Sequence, residues 1–116
     1  MRSRSSTRSS RAFASRVAEV RLSAAARADF EDIREYGVEQ FGETVAERHL
    51  VGLREALALL AEHPRIGPAR PEFRQDIRSL PHRPHRILDT VAGDVVSVLR
   101  IVHQARDVPA ALDEAQ

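Results

Sequence analysis

The sequence contains no cysteine, lysine, tryptophan or asparagine. Without cysteine, the chain cannot form a disulfide, a zinc–thiolate site or a thiol nucleophile. Without lysine, it cannot build a P-loop or a Schiff base, and no lysine can act as a general base. All 18 basic residues are therefore arginine, and with 17 acidic residues the formal net charge is +1. A length of 116 residues indicates one domain with one ordinary hydrophobic core.

Charge is distributed unevenly along the chain. Residues 1–21 carry six arginines against one acidic residue, whereas residues 22–62 carry four arginines against nine acidic residues. Residues 63–106 are basic again, with eight arginines against four acids, and residues 107–116 carry three acids and no base. The asymmetry predicts separate acidic and basic surfaces, which are a better guide to partners than the net charge.

The first 16 residues contain five arginines, six serines and no acid, without an apolar period. This composition predicts a disordered tail over residues 1–16. A basic nucleic-acid arm, an organelle transit segment and a wrongly assigned start are alternatives for the same composition. No apolar stretch has the length of a signal peptide or a membrane span, so we expect a cytoplasmic protein without membrane association.

Apolar periodicity predicts a strand over residues 17–22 and two helices after it. Ser23 is a good N-cap for a helix over about 24–40, Gly42 separates it from a second helix, and Pro64 ends the second. The two apolar stripes consist of Ala26, Phe30, Ile33, Gly37 and Phe41, and of Ala46, Leu50, Leu53, Leu57 and Leu60. Because the connection is so short, the helices must form an antiparallel hairpin.

The C-terminal half is predicted to form three strands, over residues 74–80, 85–91 and 95–102, after a proline-rich loop over 63–71. The turn Ala92–Gly93–Asp94 indicates a hairpin. The last strand is apolar on both faces, which is typical of a central strand. The predicted fold is α+β: an N-terminal strand, an antiparallel two-helix hairpin on one face, and a three-stranded antiparallel sheet. Residues 17–108 form the domain, and residues 109–116 are predicted to be a flexible tail.

Five segments resemble a known family when they are taken in order and with their spacing. They are Leu22–Tyr36, Phe41–Glu43, Leu60–Gly67, Ile77–Ser79 and Val98–Asp107. Together they resemble the ParE branch of the RelE/ParE toxin superfamily, over about residues 18–108. The resemblance implies a RelE/ParE-like fold and a toxin of a type II toxin–antitoxin system. It also implies a cognate ParD-like ribbon-helix-helix antitoxin that neutralises the toxin.

The resemblance leaves two activities to separate. RelE-type members cleave mRNA on the ribosome, which requires a general base, a general acid and cations at the phosphate. ParE-type members inhibit DNA gyrase by protein binding. This sequence has no lysine, and its one tyrosine, Tyr36, is far in sequence from the C-terminal strands where RelE-type members place a catalytic tyrosine. We therefore expect a gyrase inhibitor without catalytic residues or cofactor. A RelE-like mRNA endoribonuclease and a degenerate, non-toxic antitoxin-binding homologue are the alternatives.

Four polar residues of the basic half are candidates for contact with gyrase or antitoxin: Arg78, Arg86, His103 and Arg106. Each arginine could instead pair with an acidic residue of the helical half, and direct nucleic-acid binding stays open. His103 and Gln104 belong to the ParE-like pattern, so His103 is not assigned to catalysis. Arg100, within an apolar strand, is expected to form a structural ion pair.

Two further features have both a structural and a functional interpretation. Leu59 exceeds what one apolar stripe needs, so it is either exposed for a partner or packed under the loop at 64–71. His82–Arg83–Pro84–His85 resembles a metal-binding sequence, but its proline and the lack of a nearby carboxylate cluster favour a turn. We therefore expect no metal site.

Overall fold

The computed structural model describes residues 17–114. In chain order the elements are β1 (Glu19–Leu22), α1 (Ala24–Phe41), α2 (Glu43–Glu62), β2 (Arg78–His82), β3 (His85–Ala92), β4 (Val95–His103) and α3 (Val108–Glu114). The predicted α+β fold and the order of its first six elements are confirmed. The tail predicted over residues 1–16 lies outside the described residues. Within residues 17–114, no helix combines the length and apolar character that crossing a membrane requires.

The helical hairpin depends on a cap and a glycine. Ser23 Oγ accepts the N–H of Ala26 at 2.9 Å, which satisfies one of the free amides at the start of α1. Gly42 has a φ of 85°, a conformation that favours glycine, and it reverses the chain between α1 and α2 in one residue. The helices approach closely at Gly37, where a Cβ would lie 3.2 Å from the Cβ of Ala46.

The four strands form one sheet in the order β1-β4-β3-β2, with β1 parallel to β4 and the other neighbours antiparallel. β4 is therefore central, as its apolar run predicts. A β-bulge interrupts its pairing with β3: Leu88 pairs with Arg100 and Asp89 with Val98, so Leu99 is the extra residue. The bulge shifts the alternation of side chains by one, and apolar residues before and after it face the helical hairpin.

Each face of the sheet has its own hydrophobic core. The core under the hairpin consists of Ala18, Ala26, Leu53, Leu60, Ile87, Val96, Val98 and Ile101. The core on the opposite face consists of Ile77, Leu88, Val102, Val108, Ala111 and Leu112. The predicted packing of the hairpin on one face is confirmed, and α3 covers the other face.

The prediction of a flexible tail over residues 109–116 is wrong for the described part of that segment, because it forms α3. Val108, Ala111 and Leu112 have the spacing of a helical apolar face and are buried against the sheet. Asp107 Oδ1 accepts the N–H of Ala110 at 3.1 Å and caps the helix start. Both signals are present in the sequence.

The strand predicted over 74–80 begins four residues later, at Arg78. The preceding residues form turns, in which Arg74 Nε donates to Asp76 Oδ1 at 2.9 Å. The loop then pairs with the outer edge of β2, where the N–H of Ser79 donates to the carbonyl of Pro68 at 3.0 Å. The strand therefore begins where this edge pairing begins.

The start of α1 takes the place of a neighbouring strand along the last part of β4. Ser23 Oγ donates to the carbonyl of Leu99 at 2.8 Å. Asp29 Oδ2 accepts the N–H of Ile101 at 2.9 Å. Backbone groups that β1 is too short to reach are thereby satisfied, which a buried strand edge requires.

The guanidinium of Arg100 joins α1 to α3. Its Nε and Nη2 donate to the two carboxylate oxygens of Asp29 at 2.7 and 2.8 Å, and Nη1 donates to the carbonyl of Ala111 at 2.8 Å. Both charged side chains are buried, and the hydrogen bonds to Asp29 hold the pKa of Arg100 above its ordinary value. The structural ion pair predicted for Arg100 is confirmed.

Asp89 is a fully buried acid whose two carboxylate oxygens have no hydrogen-bond partner. Burial raises the pKa of Asp89 to about 7, although the charge of Arg78, its cross-strand neighbour, acts in the opposite direction. The ionised form is therefore disfavoured in the folded protein, because a buried charge without a partner loses its hydration.

Asp29→Ala should destabilise the protein by about 3–5 kcal/mol, because it leaves the Arg100 guanidinium buried without its carboxylate. Urea denaturation followed by circular dichroism measures the free energy of unfolding. The exposed pair Arg34–Glu31 supplies the control, and Arg34→Ala should leave that free energy almost unchanged. Equal losses in the two variants would contradict the role given to the buried pair.

Asp89→Asn should stabilise the protein at pH 8 but not at pH 4. The folded pKa of about 7 lies above the ordinary 3.8, so the wild type loses stability as the pH rises between these values, whereas the variant does not. The difference at pH 8 should be a few kcal/mol by the usual conversion of pKa shifts. Urea denaturation at both pH values measures it. Exposed Asp94→Asn is the control, and an Asp89→Asn effect that is equal at both pH values would refute the assignment.

Candidate functional site

A groove of about 640 Å³ lies where the second half of α1 and the start of α2 extend past one end of the sheet. Asp29 contacts Ile101, two residues before β4 ends, so the later turns of α1 pass beyond the strands. The groove is lined by Asp32, Ile33, Tyr36, Gly37, Phe41, Val45, Ala46, His49, Pro84, His85 and His103.

One wall of the groove is apolar and largely uncovered. Tyr36 is 61% exposed and Phe41 is 63% exposed, and Val45 is exposed beside them. Phe41 belongs to the apolar stripe that the sequence predicts for α1, but the sheet ends before this residue and leaves it without a partner. Neighbouring exposed apolar side chains of this kind are typical of an interaction surface.

The floor of the groove is formed by His85 and His103, which lie on the adjacent strands β3 and β4. His82, His85 and His103 are in register across β2, β3 and β4. The rings of His85 and His103 have centroids 5.8 Å apart. His49 of α2 lies over this row, with its ring centroid 5.4 Å from that of His82 and 5.3 Å from that of His85. We call these four residues the histidine stack.

Two members of the histidine stack have a buried nitrogen without a hydrogen-bond partner, namely Nε2 of His49 and Nδ1 of His85. Burial, reinforced by the neighbouring histidines, lowers the pKa of His85 to about 4. Burial and the proximity of His82 also lower the pKa of His49. Nδ1 of His103 accepts the N–H of Ala105 at 3.0 Å, which places the proton of the neutral ring on Nε2. At neutral pH, His49 and His85 are therefore uncharged.

The predicted turn at His82–His85 is confirmed, since Arg83 and Pro84 connect β2 to β3. Within residues 17–114, no group of three or more histidine or acidic side chains is arranged so that it could hold a metal ion. The rings of the histidine stack lie against one another instead of converging on a point.

Arg78, predicted to contact a partner, is half-buried and binds the preceding loop. Its Nη1 donates to the carbonyl of Gly67 at 2.7 Å and to that of Arg65 at 3.2 Å. Gly67 can approach β2 because it lacks a side chain, as a Cβ there would lie 3.0 Å from the backbone nitrogen of Leu80. Arg78 therefore fixes the loop and does not line the groove.

Arg86 and Arg106 also lie outside the groove. Arg86 pairs in register with Val102, and its guanidinium lies 5.5 Å from the ring centroid of Phe73. Arg106 is exposed, and its Nη2 donates to Glu114 Oε1 at 2.5 Å. These two arginines are thus associated with the face that α3 covers.

Leu59 lies near the C-terminal end of α2 and is 38% exposed, so it is not packed under the loop at 64–71. It does not line the groove. Among the predicted contact residues, the groove contains His103 only. Sequence reasoning missed Tyr36, Phe41, His49 and His85. The signals that could have found them are the apolar stripe of α1 running on to its last residue and the histidines at the strand ends.

Comparison with known proteins connects these features to one family. Residues 20–108 match the family model described as the ParE toxin of the type II toxin-antitoxin system, parDE. The chain is also 30% identical over 92 residues to Toxin ParE1 of Caulobacter vibrioides, a match that covers 79% of this chain and 95% of that protein.

Solved toxin structures share the fold. A chromosomal ParDE toxin–antitoxin system from P. aeruginosa gives a TM-score of 0.67 at 22% identity and covers 76% of this chain and 97% of its own. The RelBE2 toxin–antitoxin complex from Mycobacterium tuberculosis gives a TM-score of 0.55 at 25% identity, and the match covers 75% of this chain and 98% of that one. A mutant of the E. coli toxin RelE in the free state gives a TM-score of 0.57 at 20% identity, and the match covers 84% of this chain and 96% of that one. The chain therefore belongs to the ParE toxin family of type II toxin–antitoxin systems.

Proposed function

We propose that this ParE-family toxin acts in the cytoplasm by binding DNA gyrase, without catalytic residues or a cofactor. We also propose that a ParD-like ribbon-helix-helix antitoxin neutralises it. The family match supports the general role, and the arrangement of charges supports binding over RNA cleavage.

The observation that carries the proposal is the separation of arginines from the groove. Cleavage of RNA requires an acid and a base beside a cation that stabilises the charged phosphorus centre. Tyr36, His49, His85 and His103 supply acid–base groups, but no arginine lines the groove within the described residues. This arrangement favours recognition of an apolar protein segment over recognition of a phosphate.

The uncovered wall of the groove favours the antitoxin as its occupant. Tyr36 and Phe41 offer aromatic surface of the kind that anchors protein interfaces. Asp32 lines the groove, and Glu35 and Glu39 are exposed on the same helix. A partner segment with an apolar face and a basic flank complements both features.

The five residues predicted to contact a partner fall into three groups according to their exposure and their contacts. We assign His103 to the antitoxin groove. Arg106 and Leu59 are exposed and lie outside it, so they are candidates for contact with gyrase. Arg78 and Arg86 are half-buried and contact loop carbonyls or Phe73, so we assign them to support of the fold.

Purified toxin should abolish DNA supercoiling by gyrase and leave labelled mRNA intact in a translating ribosome mixture. Adding the ribbon-helix-helix protein encoded by the neighbouring gene should restore supercoiling. Cleaved message with normal supercoiling would support the endoribonuclease, and Tyr36→Phe and His103→Gln would then test the groove as its active site. Inactivity in both assays together with tight antitoxin binding would indicate a non-toxic homologue.

Phe41→Ser should weaken antitoxin binding by about fivefold or more, because truncating an aromatic anchor of an interface costs about 1 kcal/mol or more. Isothermal titration calorimetry measures the Kd. Val51→Ser removes an apolar side chain that is 42% exposed on α2 outside the groove, and it should bind as the wild type does. Equal affinities of both variants would place the antitoxin elsewhere.

A further inference from the structure

The histidine stack has charged or titratable neighbours on every element around it. α1 contributes Asp29, Asp32 and Tyr36, and the remaining groups are the histidines themselves, on α2, β2, β3 and β4. The carboxylate of Asp29 is already engaged by Arg100 and a backbone N–H. Asp32 is exposed at the rim of the groove. The stack therefore has no buried carboxylate free to neutralise a proton.

The stack is also tightly packed against α2. A Cβ on Gly52 would lie 3.1 Å from Cε1 of His82 and 3.2 Å from its Nε2, so the backbone of α2 rests directly on this ring. His49, one turn earlier, covers the same row from above. A proton added to one ring places its charge within about 6 Å of neighbouring imidazoles, where like charges repel.

Covering the groove would make such a charge still less favourable. An apolar segment seated on Tyr36 and Phe41 removes water from the floor beneath it and from the neighbouring rings. His49 Nε2 and His85 Nδ1 are already buried without a partner in the free protein, so a covered groove leaves a protonated ring even less access to water. An occupant that fits has an apolar face and no cation directed at the stack.

We propose that the histidine stack makes occupation of the groove by the antitoxin dependent on pH, so that the complex holds while the imidazoles are neutral and weakens as they are protonated. This inference rests on the proposed function, because it takes the antitoxin as the occupant.

The direction follows from proton linkage. Dehydration in the complex lowers the pKa of His49 and His85 further than burial does in the free toxin, so the free toxin binds more protons at acidic pH and affinity falls. The loss of affinity begins as the pH falls below 6.5, the ordinary pKa of histidine, and continues to about pH 4, where His85 of the free protein has its pKa. Each coupled proton can weaken binding by up to about tenfold per pH unit.

The test measures Kd for the neighbouring gene's purified ribbon-helix-helix protein at pH 7.5 and pH 4.5 by calorimetry. The comparison is the ratio of the two Kd values for each toxin variant, so that titration of the antitoxin itself cancels. We expect the wild-type Kd to be higher at pH 4.5 than at pH 7.5, mainly through His49 because pH 4.5 still lies above the pKa of His85, and the ratio to be clearly smaller for His49→Gln/His85→Gln. His63→Gln removes an exposed histidine after α2 and should behave as the wild type. Circular dichroism at both pH values checks folding.

The outcomes separate the inference from the function it rests on. If wild type, the double variant and His63→Gln share one ratio, the inference is overturned and the antitoxin-binding function stands. If no toxin binds the antitoxin at pH 7.5, the proposed function fails, and the inference fails with it. If the double variant does not fold, His49→Gln alone is compared with the wild type. This change should be tolerated, because His49 is only half-buried on α2.

Discussion

The pairing of Arg100 with Asp29 is the interaction on which the rest of the structure depends. It joins Arg100 in the central strand to Asp29 of α1, 71 residues earlier in the chain, and Arg100 also holds α3 through the carbonyl of Ala111. Desolvating two charges offsets much of their attraction, so the pair contributes mainly by fixing one arrangement of the elements. That arrangement carries the later turns of α1 past the sheet, where Tyr36 and Phe41 form a wall without a covering element.

Local chemistry was sufficient to predict most of the fold. Gly42 and the turn at Ala92–Asp94 reverse the chain through backbone conformations that glycine favours, and helical apolar spacing defines the hairpin. The parallel pairing of β1 with β4 is a long-range contact and leaves no local mark. The C-terminal helix did leave one, because Asp107 and the spacing of Val108 and Leu112 indicate a capped apolar face.

The candidate site was harder to predict, because its residues become neighbours only through strand register. His49 and His103 are distant in sequence, and they meet the same ring, His85, from a helix and from a neighbouring strand. Exposure was equally hidden: an apolar stripe does not show where the sheet beneath it ends. For Arg78 and Arg106, the sequence did not show that loop carbonyls and Glu114 already engage these guanidinium groups.

The bulge at Leu99 has a consequence for how this sequence can change in length over evolution. Deleting Leu99 would remove the bulge and leave the other residues of β4 opposite their present partners, with Arg100 still opposite Leu88 and Ile101 still opposite Ile87. An insertion or deletion farther along the strand would instead move the side chains beyond it to the opposite face of the sheet. Position 99 is therefore a place where β4 can lose a residue and keep its register with β3.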